Sequence, residues 1–314
     1  MCTSMKISIV TTLYKSSPYI AEFYKRSINS IHKIGAQYEI IFVDDGSPDD
    51  SLKIVTALLK DDLNITVVEL SRNFGHHKAM MTGLEYANGD YVLMIDSDLE
   101  EVPELLETYW EKMSENKDTD VVYGKLSQRK DTIWNKLTSG LFYRLLNFLS
   151  GEEMPIDIAF SRLATRNYIS NLLRFKEREM YIGGLWHMTG FNQIPVNITK
   201  HSKGISSYTL RKKIEMLVNA ITSFSSMPLR MIFHTGIITT VFAIILSIFF
   251  LVRKIIYAEI VSGWTSLIVI TLLMSGIILS SLGIIAIYMS KIFNEVKNRP
   301  YTIVRSVHTG DYKK

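Results

Sequence analysis

Along the N-terminal part of the chain, short apolar runs alternate with stretches in which apolar residues recur every three or four positions. Lys6–Thr12, centred on Ile7-Ser8-Ile9-Val10, predicts a first strand, and Tyr38–Val43, Ile65–Leu70, Tyr91–Ile95 and Asp120–Tyr123 predict further strands. Between the first two, Ile20, Phe23, Tyr24, Ser27, Ile28 and Ile31 mark a helix that Pro18 opens and Gly35 stops. Ser47 and Pro48 suit the cap and first position of the next helix, and further helices are expected over His77–Tyr86 and Val102–Met113. Strand and helix alternate throughout. That order predicts an α/β domain with a mostly parallel, Rossmann-like sheet and ligands at the carboxyl edge of its strands.

The pattern then changes. Ile133, Leu137, Leu141, Leu145 and Leu149 recur every four residues beside Trp134, Phe142 and Leu146, while Lys136, Ser139, Arg144 and Asn147 fall off the stripe. A second amphipathic helix is expected over Arg211–Ser226, with Ile214, Leu217, Val218, Ile221 and Phe224 on one face and a basic start at Arg211-Lys212-Lys213. Such helices pack on their own domain or lie on anionic lipid. Ile232–Val252 carries no charge apart from a protonatable His234, and Trp264–Met289 carries none. Each exceeds the roughly 20 residues needed to cross a bilayer core.

The expected division is a catalytic domain over 1–210, a juxtamembrane interfacial helix over 211–230, a transmembrane hairpin over 231–290 and a basic tail over 291–314. Lys291, Lys297, Arg299, Arg305, Lys313 and Lys314, with Arg211-Lys212-Lys213, flank the outer ends of the hairpin. This places the catalytic domain and both termini in the cytoplasm, Arg253 and Lys254 being the opposing charges in the connecting loop.

Composition changes the picture little. The chain has 314 residues, 47% of them hydrophobic, and one cysteine, Cys2, which excludes an internal disulfide and a thiolate metal centre. A formal charge of +4 gives no case for nucleic acid. Ile7–Val10 is too short for the apolar region of a signal peptide.

The chemistry concentrates after the fourth strand, where Asp96, Asp98, Glu100 and Glu101 follow Tyr91-Val-Leu-Met-Ile95. Two carboxylates spaced Asp-x-Asp can share a hard divalent cation, a substrate diphosphate supplying further oxygens; the same letters also describe a solvated acidic loop. Asp44 or Asp45, after the second strand, can accept hydrogen bonds from a nucleobase imide or a ribose. A cation at such an edge stabilises a departing nucleoside diphosphate. That is the chemistry of sugar transfer from a nucleotide sugar, and the apolar spans imply a lipid acceptor. A lipid phosphate is already an anion at neutral pH, so a dedicated general base is less necessary than for a sugar hydroxyl. His76 and His77 are read as non-ligating, because neighbouring side chains on a helix diverge by about 100°.

Ile9-Val-Thr-Thr-Leu-Tyr14, Val43-Asp-Asp-Gly-Ser47, Leu70-Ser-Arg-Asn-Phe-Gly75, Gly89-Asp-Tyr-Val-Leu-Met-Ile-Asp-Ser-Asp98 and Val121-Val-Tyr-Gly124 follow one another in order. Phe142-Tyr-Arg-Leu-Leu-Asn147, Gly190-Phe191, Ser206-Ser-Tyr-Thr-Leu-Arg211, Ser223-Phe-Ser-Ser226 and Pro228-Leu229 continue the series. Taken together they resemble the family 2 glycosyltransferases that make polyprenyl-phosphate sugars, such as dolichol-phosphate mannose synthases and bacterial undecaprenyl-phosphate glycosyltransferases.

The resemblance implies a GT-A catalytic domain with interfacial amphipathic helices and two C-terminal transmembrane helices, in a bacterial inner membrane. It implies a nucleotide-sugar donor (UDP-sugar favoured over GDP-sugar), Mg²⁺ or Mn²⁺, and inverting transfer to polyprenyl (undecaprenyl) phosphate; it is compatible with a homo-oligomer. By position it assigns Thr12, Tyr14, Asp44, Asp45, Arg72 and Asp96 to the nucleotide, Asp96, Asp98 and Glu100 to the metal, and Asp96, Asp98 and Asp157 to catalysis. Arg129, Ser139, Lys200, His201, Lys203 and Ser206 fall to the acceptor phosphate.

The chain departs from the family pattern in three places. Glu100 stands where Gln is frequent, Phe160 replaces the second acid of an Asp-x-Gly-Asp-Phe-Arg-Leu motif, and Lys200, His201 and Lys203 surround Gly204 in place of an Arg beside it. Transfer to a glycan or glycolipid hydroxyl, or a scaffold that only binds nucleotide sugars, are the alternatives.

Overall fold

The computed structural model describes residues 5–126, 158–178, 182–200, 227–257 and 263–310. The chain divides into two compact units, one made of 1–136, 154–207 and 299–314 and the other of 137–153 and 208–298. The expected amphipathic helices over 133–149 and 211–226 lie outside the described residues.

The first unit is built on an eight-stranded sheet. Its strands are β1 (Lys6–Leu13), β2 (Gln37–Asp44), β3 (Ile65–Leu70), β4 (Tyr91–Met94), β5 (Val121–Leu126), β6 (Ile158–Thr165), β7 (Gln193–Ile198) and β8 (Val304–Thr309), in the order β7-β5-β6-β4-β1-β2-β3-β8. The neighbours β4-β1-β2-β3 are parallel, and β6 and β8 flank them antiparallel on either side. Helices α1 (Ile20–Ile34), α2 (Ser51–Leu58) and α4 (Leu105–Glu115) cover one face. Helices α3 (His76–Tyr86), α5 (Arg166–Leu172) and α6 (Ile182–Met188) cover the other.

The two cores follow from the pleat. Ile7 and Ile9 of β1 enter the first core and Val10 the second; Ile40 and Phe42 of β2 enter the first, Ile41 and Val43 the second. A strand with both faces buried must be apolar on both, which is why β1 and β2 read as continuous apolar runs. Each such residue, when fully buried, contributes about 1.5–3 kcal/mol. Gly35 ends α1 with φ 74°, the left-handed conformation of a helix C-cap.

Three strands go beyond the sequence expectation. β6 and β7 were not foreseen. The segment 291–314, expected to stand apart as a basic tail, instead continues as helix to Val296 and then pairs β8 with the exposed edge of β3. β8 has only Val304 and Val307 as apolar residues, too weak an alternation to signal a strand; the long-range need to cover a sheet edge creates it.

The second unit contains α7 (Met227–Tyr257) and α8 (Trp264–Val296), both long and apolar enough to cross a membrane. Phe233, Ile238, Phe242 and Leu279 point outward at 60–69% exposure. The hydroxyls of Thr235, Thr239, Thr240, Thr271 and Ser281 donate to carbonyls one turn back, so these polar groups are satisfied inside their own helix. Internal satisfaction is what a hydrocarbon environment demands, and water would penalise the apolar surface by about 25 cal/mol per Å². This unit is membrane-associated.

Candidate active site

The carboxyl ends of β1, β2, β3 and β4 lie side by side, and the loops leaving them carry Thr12 and Tyr14, Asp44 and Asp45, Arg72, and Asp96 to Glu101. Ser97 is buried and donates to the Thr12 carbonyl at 3.0 Å and to Ser16 Oγ at 3.1 Å, which ties the β4 loop to the β1 loop. Tyr14 is half exposed at this edge.

The two aspartates after β2 do different work. Asp45 accepts from the backbone N–H groups of Phe74 (2.7 Å) and Gly75 (3.0 Å), so both its oxygens hold the loop between β3 and α3. Asp44 is only 3% exposed, and its Oδ1 has no hydrogen-bond partner. Burial, with Glu69 and Asp45 nearby, pushes it up to about 6 against the donation it receives from the Ser47 backbone. Gly46 between them and Ser47 has φ 61°, and a Cβ there would meet the backbone of Arg72 and Asn73 at 2.6 Å. Only glycine lets the two loops close on each other. Arg72 is exposed, with its guanidinium over the Phe74 ring at 4.2 Å.

The acids after β4 are divided in the same way. Glu104 holds Arg26 through two hydrogen bonds at 2.8 and 2.7 Å. Glu101 is buried and accepts from the backbone N–H groups of Phe160 (3.1 Å) and Ser161 (2.7 Å), which fixes β6 against the loop. Glu100 accepts an ion pair from Lys200 at 2.9 Å. The structure thus joins two residues that the sequence assigns to different ligands. Asp98 Oδ1 accepts from the Glu100 backbone at 3.0 Å.

Asp96 keeps 30% side-chain exposure at the open edge. Burial of its carboxyl, together with Glu101 and Asp98, pushes it up to about 8, with Lys200 acting the other way. Crowded negative charge of this kind is relieved by a divalent cation, and hard carboxylate oxygens are its proper ligands. Among the described residues no three histidine or carboxylate side chains converge as a preformed metal site. Asp96 and Asp98 are instead two neighbouring carboxylates at the open edge, each acting on the other's charge.

His76 meets Thr12 and Asp96 at this edge, although its sequence position assigned it no role there. Its Nδ1 is hydrogen-bonded to Thr12 Oγ1 at 2.9 Å, its Nε2 lies 3.4 Å from Asp96 Oδ1, and its ring meets Phe160 at 4.4 Å between centroids. Burial, with His77 and Lys200 nearby, pushes it down to about 4, so it is neutral at pH 7. Its signal was its place at the first turn of the helix following β3, directly behind the loop that Asp45 holds. Phe160 packs between His76 and Trp186, the second ring at 5.4 Å, and fills the position where an acid was expected. Asp157, Arg129, Ser139, His201, Lys203 and Ser206 lie outside the described residues.

Residues 8–173 match the family described as glycosyl transferase family 2. A Mycobacterium tuberculosis protein assigned only to the glycosyltransferases is 42% identical over 98% of this chain and 90% of its own. The SfII prophage-derived bactoprenol glucosyl transferase of Shigella flexneri is 30% identical over 98% of this chain and 100% of its own. Among solved structures, glucosyl-3-phosphoglycerate synthase from Mycobacterium tuberculosis, in complex with Mn²⁺, UDP and glucosyl-3-phosphoglycerate, aligns at 16% identity over 70% of this chain and 80% of that one, with TM-score 0.48. The chain belongs to glycosyl transferase family 2. It is a glycosyltransferase, and its mostly parallel sheet with helices on both faces is the GT-A fold.

Proposed function

We propose that the protein moves a sugar from a nucleotide sugar, with UDP-sugars favoured, to polyprenyl phosphate, with inversion at the anomeric carbon. The observation that carries this is the pairing of an acid-lined sheet edge with two apolar helices, in a chain that a bactoprenol glucosyl transferase matches from end to end. Asp44 Oδ1, a buried acceptor lacking a donor, suits the N–H of a nucleobase imide. Asp96 and Asp98 would hold Mg²⁺ or Mn²⁺, which when bound neutralises charge on the departing nucleoside diphosphate.

In the reaction a phosphate oxygen of the lipid attacks the anomeric carbon. The bond from that carbon to the diphosphate oxygen breaks, and the nucleoside diphosphate leaves with the electron pair. The nucleophile is already ionised, so no proton need be removed. Phe160, packed on His76 and Trp186, supports this route, because an acid serving a sugar hydroxyl would be expected there. Glu101 is also unavailable as a base, since both its oxygens accept backbone hydrogen bonds.

The same strand order supports the topology. β8 belongs to the catalytic sheet, yet α7 and α8 lie between it and β7 in the chain. A chain that leaves through two spans and returns to the same sheet has both ends of the pair on one side, and the flanking lysines and arginines make that side cytoplasmic. The test incubates the purified protein with undecaprenyl phosphate, divalent metal and a panel of UDP- and GDP-sugars. Lipid-dependent release of nucleoside diphosphate from one donor is expected. Release that needs a glycan hydroxyl, or none from any donor, rejects the proposal.

A further inference from the structure

The segment returning from α8 grips both elements that frame the loop Ser71–Gly75. On the β3 side, Arg305 donates to Glu69 Oε1 at 2.9 Å and to the Ser71 carbonyl at 3.0 Å, and the Ser71 backbone N–H donates to the Ile303 carbonyl at 2.9 Å. Ser306 donates to the other Glu69 oxygen at 2.7 Å. On the α3 side, the Tyr301 hydroxyl donates to Glu85 at 2.6 Å, and the Thr302 and Thr82 hydroxyls are hydrogen-bonded at 2.7 Å. The loop between these anchors carries Arg72, packs its backbone on Gly46 and is held from inside by Asp45. Glu69 also stands in register beside Asp44 on the neighbouring strand.

We propose that the return segment is part of the donor site, and that Arg305 is a positioning residue which sets nucleotide affinity through the Ser71–Gly75 loop. This rests on the nucleotide-sugar function proposed above. Arg305 does not touch the nucleotide. It offsets the charge of Glu69, whose other oxygen is met by Ser306 and lies 3.6 Å from His308 Nε2, beside Asp44 in register, and it fixes the carbonyl of the residue preceding Arg72. The donor site is then completed only when the chain has come back from the membrane hairpin, so a protein whose hairpin is not in place would bind donor poorly.

The test uses the full chain in detergent. UDP and GDP are titrated calorimetrically into wild type, Arg305→Ala and Arg305→Lys, alongside binding of undecaprenyl phosphate and the thermal unfolding midpoint. Arg305→Ala should weaken nucleotide binding about fivefold, the limit for a largely exposed ion pair. Its lipid-phosphate affinity and unfolding midpoint should be unchanged. Arg305→Lys, which keeps the charge beside Glu69, should recover most of the loss. Should Arg305→Ala fail to fold, Ser306→Ala removes a different hydrogen bond to Glu69 and should weaken nucleotide binding in the same way. Unchanged nucleotide affinity overturns the proposal, as does equal weakening of nucleotide and lipid with a lowered midpoint. Wild type that binds neither nucleotide overturns the underlying function, and the proposal with it.

Discussion

Asp44 is a residue whose stability cost and proposed function oppose each other. Its carboxyl is pushed up to about 6 by burial, against an ordinary 3.8, so between those pH values the folded state holds more protons than the unfolded one. The contribution of Asp44 to stability is therefore fully present below about pH 4 and is lost as pH rises through 6, by about 2–3 kcal/mol in all. Asp44→Asn removes that charge while its carbonyl can still accept from Ser47. At pH 8 the variant should melt roughly 5 °C above wild type in the absence of nucleotide, yet lose UDP binding by tenfold or more. Wild-type UDP affinity should fall as pH drops below 6. A variant that binds UDP like wild type would make Asp44 a bystander. Asp98→Asn makes the companion test at the metal. Transfer should be abolished with the unfolding midpoint kept, and EDTA should silence the wild type; full activity in EDTA would remove the metal role.

At the scale of elements, the proposed donor edge is made by loops that hold one another. The turn after β2 and the loop after β3 meet at Gly46, where a Cβ would lie 2.6 Å from two backbone atoms. Gly46→Ala combines that clash with a positive φ, each a cost of order 1–3 kcal/mol. The expected result is a lower unfolding midpoint and nucleotide binding weakened by at least tenfold, because Asp44 and Arg72 sit on the two loops forced apart. Gly35→Ala serves as control: φ there is 74° but nothing lies within 4 Å of its Cβ. It should cost a similar strain at the end of α1 while leaving UDP affinity alone. Equal binding losses in the two variants would mean that global stability, not loop contact, governs the site.

For the whole molecule, the decisive feature is that one sheet contains strands from both sides of the apolar hairpin. Reporter fusions after Lys314 and within residues 258–263, between α7 and α8 in the chain, should give opposite signals, the first cytoplasmic. Matching signals would sink the hairpin. Deleting the chain from Pro300 onward should leave α7 and α8 in the membrane but expose the edge of β3, and the protein should aggregate or lose donor binding.

Much of this was legible in the residues alone. The apolar runs of β1 to β4 and the 3.6-residue periodicity between them settle a Rossmann-like half, because burial on one or both faces dictates composition directly. The length and lack of charge of α7 and α8 mark them as candidate spans for the same reason. Carboxylates at Asp44, Asp96 and Asp98 stood out because they follow apolar strands, at the edge where open α/β sheets bind ligands. What only the tertiary structure decided is how identical residue types divide their labour. Asp44 and Asp45 are neighbours, yet one is left with an unpaired oxygen and the other spends both on backbone amides. Glu100 meets Lys200, Glu101 anchors β6, and His76 reaches Thr12 and Asp96, all through partners at least 59 residues away or on another strand's loop. β8 is the extreme case, a polar edge strand whose only reason to form is the open side of β3. Local pattern encodes what a residue buries against solvent; it does not encode which distant partner satisfies its hydrogen bonds, and that pairing is what turns an acidic edge into a site.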